Sequence, residues 1–479
     1  MTARMNIVNN INPEIFRGYD IRGVNDKDLS EDVYFTLGKA YATFLYERRI
    51  TEAVIGRDVR ITSEIYQKAF MEGLLDSGID VIDIGLTLSQ ILYFAQYHFL
   101  TKGGAMVTAS HNPKNYNGLK LACGYSDTLL TDEVQMIRKI AESGNFKTYG
   151  KKGQYRSEEV FNYYLEDLFK KVPTENIGYK VVLDTLNATA GKFMPEVLKR
   201  AGCTVIAKNT ELDGNFPLGT PDPTERDVIE RLGEYVREEH ADLGVCYDPD
   251  GDRIGIVDGD GMPIWNDVLV AIFAKDVLEY MDNAPIVFNT LCSKATSDVI
   301  TSSGGVPVMW MTGHSFIKAK VKEARAPFGG ELSGHMFFMD NFYGHDDTGF
   351  ATLRLLNYMK RKNLSLKGIV DGLPKYVSSP EIKLGLADNI KFQLIKEKIS
   401  VDIKAMFSEG KYVDIDGFRA DSNDEMVIVR ASQNGPYITI KFEGKTQEQY
   451  DALKIKIRDV LKKYPEIDWT VGVNTHAFE

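Results

Sequence analysis

At 479 residues the chain is too long for one hydrophobic core and divides into about three or four domains of ordinary size. Its 57 Lys+Arg against 68 Asp+Glu leave a net charge of −11, which argues against a general binder of nucleic acid or anionic membrane. No apolar run reaches a membrane span, the first residues lack a signal-peptide apolar region, and four cysteines (Cys123, Cys203, Cys246, Cys292) stand alone without C-x-x-C spacing. The expected setting is therefore a reducing cytoplasm, with neither nucleic acid nor membrane as partner.

In chain order, Ile15 to Gly23 (IFRGYDIRG) reads as an alternating strand ending in a glycine turn, on which Arg17 and Arg22 can be edge-strand charges. A strand over 53–58, a helix over 63–75 with Ser63 as N-cap, and a strand over 78–85 make a βαβ unit. Residues 104–121 (GAMVTASHNPKNYNGLKL) then read as a short strand, a polar loop with an Asn117-Gly118 turn, and a return strand. Asn-Pro and Asn-Gly can be plain turn dipeptides, but this loop also carries the hydroxyl of Ser110, the imidazole of His111 and the ammonium of Lys120, and loops on rigid scaffolds are where catalysis is placed.

An amphipathic helix from Ser157 to Lys171 closes the first domain, so the expected domains are 1–156, 157–262, 263–374 and 375–479. The βαβ order returns at 180–206 and again at 285–309, so the expected fold is α/β: three related α/β/α domains built on βαβ repeats, plus a smaller C-terminal α+β domain. Within the second domain, Tyr247-Asp-Pro-Asp-Gly-Asp-Arg253 puts Asp248, Asp250 and Asp252 at alternate positions of a tight loop after an apolar strand. Three hard oxygen ligands suit Mg²⁺ better than zinc, and three carboxylates so close together repel without a cation. Arg253 stands where an EF-hand needs glycine, so this is not one. In Phe328-Gly-Gly-Glu-Leu-Ser-Gly-His335, Glu331 and Ser333 share a side if the segment is extended and can grip neighbouring sugar hydroxyls. In the last domain, 429–437 (VRASQNGPY) between two strands can cradle a phosphate.

Together these segments resemble the alpha-D-phosphohexomutases, in their phosphomannomutase/phosphoglucomutase branch: TASHNP with NGLK for the active-serine loop, DPDGDR for the metal loop, GELSGH for the sugar-specificity loop. The resemblance implies a phosphoryl group on Ser110, which is also a metal ligand beside Asp248, Asp250 and Asp252, and an active site in the central cleft. It implies catalytic roles for Arg22, His111, Lys120 and His335. Substrate contacts carried over in the same way are Tyr19, Arg253, His314, Glu331, Ser333, Arg430, Ser432 and Asn434. Two positions depart from the family pattern: Leu291 stands where related enzymes often have lysine, and Gln433-Asn434 where Asn-Thr is usual.

The implied reaction interconverts hexose 1-phosphate and hexose 6-phosphate, of mannose and/or glucose. It runs through phosphoserine and a 1,6-bisphosphate, with Mg²⁺ as cofactor, hexose 1,6-bisphosphate as activator and sugar phosphates as partners of a monomer or dimer. A phosphate on Ser110 adds about −1.5 to −2 charges. Phosphoryl transfer then asks mainly for alignment and neutralisation. Lys120, lowered by neighbouring cations, and His335 are the expected proton carriers. An amino-sugar phosphate mutase and a catalytically weak sugar-phosphate-binding relative are the alternatives; a serine hydrolase is disfavoured by the lack of a G-x-S-x-G elbow. The segment 215–223 (NFPLGTPDP) has no assigned role.

Overall fold

The structure is a computed structural model that describes residues 5–407, 409–432 and 435–479. The chain forms two compact units, one of residues 1–266 with 333–369 and the other of 267–332 with 370–479. Among the described residues no helix is long and apolar enough to cross a membrane.

The first unit holds two sheets. One has six strands in the order Ile21–Val24, Tyr116–Cys123, Gly103–Val107, Glu52–Arg57, Asp80–Leu86, Tyr155–Ser157. Its middle strands are parallel, and Gly103–Val107 runs antiparallel to Tyr116–Cys123. The other has five, in the order Pro263–Ile264, Ile254–Asp258, Leu243–Tyr247, Lys180–Asp184, Thr204–Lys208. Most central strands are buried along their whole length, which is why they read as continuous apolar runs.

The second unit carries parallel strands Val306–Trp310, Pro285–Asn289 and Phe328–Gly330, and a seven-stranded sheet built on the hairpin Glu425–Ala431 and Tyr437–Gly444. The helix Gln447–Leu461 covers the latter, with Leu453, Ile457 and Leu461 buried in a core shared with Ile382, Val429 and Ile440.

All three expected βαβ units form, each with parallel strands. Each returns from its helix through a left-handed glycine: Gly78 (φ +87°), Gly202 (φ +82°) and Gly304 (φ +81°). Only glycine takes that conformation without steric cost.

Four local expectations are corrected. The opening segment is not one strand: Pro13–Ile15 form a 3-10 turn, with proline at its first position, and the strand begins at Ile21. The helix expected from Ser157 begins at Phe161, because Tyr155–Ser157 adds to the sheet beside Asp80–Leu86. Ser63 is the first residue of its helix rather than its cap, and its hydroxyl bonds Asp58 instead. Asn117-Gly118 is not a turn but the start of a strand; a Cβ at Gly118 would fall 2.0 Å from the Ile21 carbonyl oxygen, so the glycine serves close approach.

Candidate active site

Ser110 sits, almost wholly buried, in the loop between Gly103–Val107 and Tyr116–Cys123, with φ +51°. A serine in the left-handed region is strained, and it persists only where its surroundings over-determine it. Those surroundings are two residues that the sequence reading passed over, Asp58 and Arg60. The buried Arg60 guanidinium donates to the carbonyl oxygens of Ser110 (2.5 Å), Asn112 (2.5 Å), Pro113 (2.8 Å) and Tyr116 (3.1 Å). Asp58 pairs with Arg60 Nε at 3.2 Å and accepts from Thr108 Oγ1 at 2.7 Å, and Thr108 Oγ1 in turn accepts from the Ser110 amide at 2.8 Å. Their only signal in the sequence was a pair of charges where an apolar strand ends.

The loop after Leu243–Tyr247 turns Asp248, Asp250 and Asp252 into one fully buried group, with ligand oxygens within 4.8 Å of one another. Ser110 Oγ donates to Asp248 Oδ2 at 2.7 Å. Lys120 Nζ lies 2.7 Å from Asp250 Oδ2 and also bonds Asp252 Oδ2, and Ser89 Oγ donates to Asp250 at 2.9 Å. Asp250 Oδ1 and Asp252 Oδ1 are buried without a hydrogen-bond partner among the described residues.

Burial, and then the negative charge of Asp250 and Asp252, pushes the Asp248 carboxyl well up. For Asp250 burial acts the same way, but the Lys120 ammonium outweighs it and holds the group down to about 2. The donor set therefore fits a divalent cation: hard oxygens only, two of them unsatisfied, beside the Ser110 hydroxyl. Lys120 departs from expectation. Burial favours its neutral form, but Asp250 and Asp252 prevail and raise it well above the usual lysine value.

Around this core, Arg22 donates to Asn112 Oδ1 (2.7 Å) and pairs with Asp20 (2.8 Å). Tyr19, buried, interacts electrostatically with both Arg22 and Arg253. His111 Nδ1 is 3.2 Å from Ser110 Oγ, while its Nε2 faces Asp222 at 3.9 Å; Asp222, from the previously unassigned 215–223 segment, also lies 3.7 Å from Arg253. His335 receives Arg253 Nε at its Nε2 (3.3 Å) and presents Nδ1 to Asp346 at 3.2 Å. Of the neighbouring pair Asp346-Asp347, the second caps the helix Thr348–Lys362 by accepting from the Phe350 amide, which leaves the first to face His335.

The remaining candidates lie in the second unit, apart from Ser333, which belongs to the first. Glu331 and Ser333 do not share an extended segment: the strand ends at Gly330 and the chain turns through Gly334 (φ +98°), so alternation does not put them on one side. Glu331 is buried and accepts the Gly313 amide at 2.7 Å. His314 opens the helix His314–Glu323, with Gly313 at the N-cap position. Arg430 Nε donates to Asp416 Oδ2 at 2.9 Å. Ser432 is buried; its carbonyl oxygen and that of Gly435 accept from Lys391 Nζ at 2.5 and 2.8 Å, which closes the loop. Asn434 and Gln433 lie outside the described residues. Leu291 packs with Met426 and Ile428 in a small apolar cluster, so its departure from lysine is a core contact here.

Comparison with known proteins bears on this arrangement directly. Residues 13–160 match alpha/beta/alpha domain I of phosphoglucomutase/phosphomannomutase, 162–261 match domain II and 265–376 match domain III. The chain is 34% identical to the phosphomannomutase/phosphoglucomutase of Pseudomonas syringae pv. tomato, with 95% of this chain and 96% of that one covered. It is 32% identical to a phosphoglucomutase of Neisseria gonorrhoeae, with 96% and 99% covered. The crystal structure of a phosphoglucomutase/phosphomannomutase family protein from Burkholderia thailandensis matches with a TM-score of 0.87 at 31% identity, over 95% of this chain and 98% of that one. With three domains matched in succession and relatives covered almost end to end, the chain belongs to the phosphoglucomutase/phosphomannomutase family.

Proposed function

We propose that the protein is a phosphohexomutase that interconverts hexose 1-phosphate and hexose 6-phosphate, of mannose and/or glucose, by way of a phosphorylated Ser110 and a 1,6-bisphosphate intermediate. The observation that carries this reading is Ser110 Oγ at 2.7 Å from Asp248, in front of a buried three-carboxylate cage that has two unsatisfied oxygens. The relatives' names support the same reaction class.

In this mechanism a divalent cation, Mg²⁺ by its preference for hard oxygens, supplies charge neutralisation between phosphoserine and the cage when bound. Asp248, Asp250, Asp252 and Ser110 are the residues to hold it. Arg60 and Asp58 keep the serine in line, so that little reorganisation is left for the transfer itself. Lys120, held protonated by its carboxylate neighbours, acts as a fixed cation for the moving phosphoryl group, with Arg22 and Arg253 beside it. Proton exchange with the sugar hydroxyl falls to His335, whose Nε2 has first to be released from Arg253 Nε, while Nδ1 faces Asp346 across 3.2 Å. Glu331, Ser333 and His314 read the sugar, and Arg430, Ser432 and Asn434 bind its other phosphate. Hexose 1,6-bisphosphate serves as activator by rephosphorylating Ser110. The reading carries with it a cytoplasmic monomer or dimer with domains at 1–156, 157–262, 263–374 and 375–479.

The test is a coupled assay with Mg²⁺ and trace hexose 1,6-bisphosphate, giving glucose 1-phosphate and mannose 1-phosphate separately to the wild type and to Ser110→Ala. Turnover of either sugar that collapses in the variant is the expected result, and the ratio of the two rates names the preferred sugar. No turnover of either by a wild type whose serine is phosphorylated would sink the proposal.

A further inference from the structure

Arg430 is nearly buried, and a buried guanidinium needs a partner that leaves it correctly aimed. Its partner is Asp416, from a turn that the sequence reading did not single out. One oxygen, Asp416 Oδ2, accepts from three donors on three different segments: Arg430 Nε at 2.9 Å, the Thr312 amide at 2.9 Å and Thr290 Oγ1 at 3.1 Å. The turn is also pressed against the arginine's own strand. Gly417, at φ +83°, has no room for a side chain: a Cβ there would fall 2.4 Å from the Val429 carbonyl oxygen and 2.5 Å from Arg430 Cα. The next amide along from Thr312, that of Gly313, is the one held by Glu331.

We propose that Asp416 is the positioning residue for substrate phosphate binding: it anchors Arg430 through Nε, fixes the plane of the guanidinium, and ties it to the Thr312-Gly313 turn that Glu331 also holds. An arginine gripped at Nε by a carboxylate that is itself fixed from two other segments has the plane of its guanidinium set, and Arg430 is the residue proposed above to bind the far phosphate. The phosphate anchor and the sugar-reading glutamate thus share one hydrogen-bonded frame. This inference rests on the hexose-phosphate reading above.

The experiment measures glucose 6-phosphate binding by calorimetry in a Ser110→Ala background, where no transfer takes place, for Asp416→Asn, Arg430→Ala and the two combined. Asp416→Asn is expected to weaken binding about tenfold, the loss of one charge-assisted contact, and the combined variant to bind no worse than Arg430→Ala alone. In the phosphorylatable enzyme, Asp416→Asn is expected to raise KM by the same factor with kcat within about twofold, a split that general loosening of the fold does not produce. Unchanged affinity in Asp416→Asn, or losses that multiply in the combined variant, overturns the proposal. If Asp416→Asn does not fold, Asp416→Glu decides, since it keeps the charge and displaces the carboxylate from Arg430 Nε. Weakened binding that disappears as a separate effect in the Arg430→Ala background upholds Asp416; wild-type affinity, or a loss that persists in that background, defeats it. A wild type that binds glucose 6-phosphate yet turns over neither glucose nor mannose phosphate defeats the mutase reading and leaves the binding comparison to judge Asp416; one that binds neither glucose 6-phosphate nor mannose 6-phosphate defeats both.

Discussion

The two regions assigned to phosphate are built on opposite charge logic. In the Ser110 region, three buried carboxylates cluster beside the hydroxyl proposed to carry the phosphoryl group, and two of their oxygens lack hydrogen-bond partners among the described residues. Near Arg430, a single carboxylate holds a cation ready for an anion. The first arrangement sets one ammonium, Lys120, against three carboxylates and leaves negative charge for a further cation, whereas the second pairs one carboxylate with one guanidinium. A reacting centre must handle charge that moves, and a binding site only charge that arrives.

Deletions in the first region should therefore act on kcat and deletions in the second on KM. Ser110→Ala should lower kcat on the order of 10⁴-fold in the coupled assay, since it removes the group that carries the phosphoryl. Chelation of divalent cations should cost roughly 10²- to 10³-fold and be reversed by adding Mg²⁺; activity that survives thorough chelation would erase the contrast.

Arg60→Lys, which cannot reach four carbonyl oxygens at once, should lower kcat about tenfold or more while KM stays within about twofold in steady-state kinetics. The smallest effect concerns acid. Burial pushes Asp416 up, but Arg430 and Thr312 outweigh it and leave its carboxyl below the ordinary value of 3.8. A depressed carboxyl contributes its stability in full above that value and loses it as pH falls through the lower, folded-state one. Wild type and Asp416→Asn should thus differ in Tm at pH 7 and draw together as pH falls from 3.8 through the lower, folded-state value in calorimetric scans.

What could be read from sequence was whatever repeats or clusters locally. The three βαβ units are legible because buried parallel strands and left-handed glycines leave a short-range pattern. Ser110 and the aspartate triad stand out because chemistry crowds into a few positions. The supporting residues were not legible. Asp58 and Arg60 act on a loop some fifty positions away, and Asp416 receives Thr290 and Thr312 from more than a hundred positions upstream. Lys120 was misjudged for the same reason: its neighbours in space are carboxylates 130 and 132 residues on. Glu331-Ser333 and Asn117-Gly118 were each assigned the wrong local geometry because backbone crowding, as at the Ile21 carbonyl, leaves no trace in composition.

The unsatisfied oxygens of the aspartate cage have a practical corollary. Whatever ion fills them binds the folded chain and not the unfolded one, so the melting temperature rises with the free concentration of that ion. A series of melts against Mg²⁺, Mn²⁺, Ca²⁺ and Zn²⁺ would therefore rank the ions by fit without any substrate, which makes the protein its own calorimetric gauge of divalent metals.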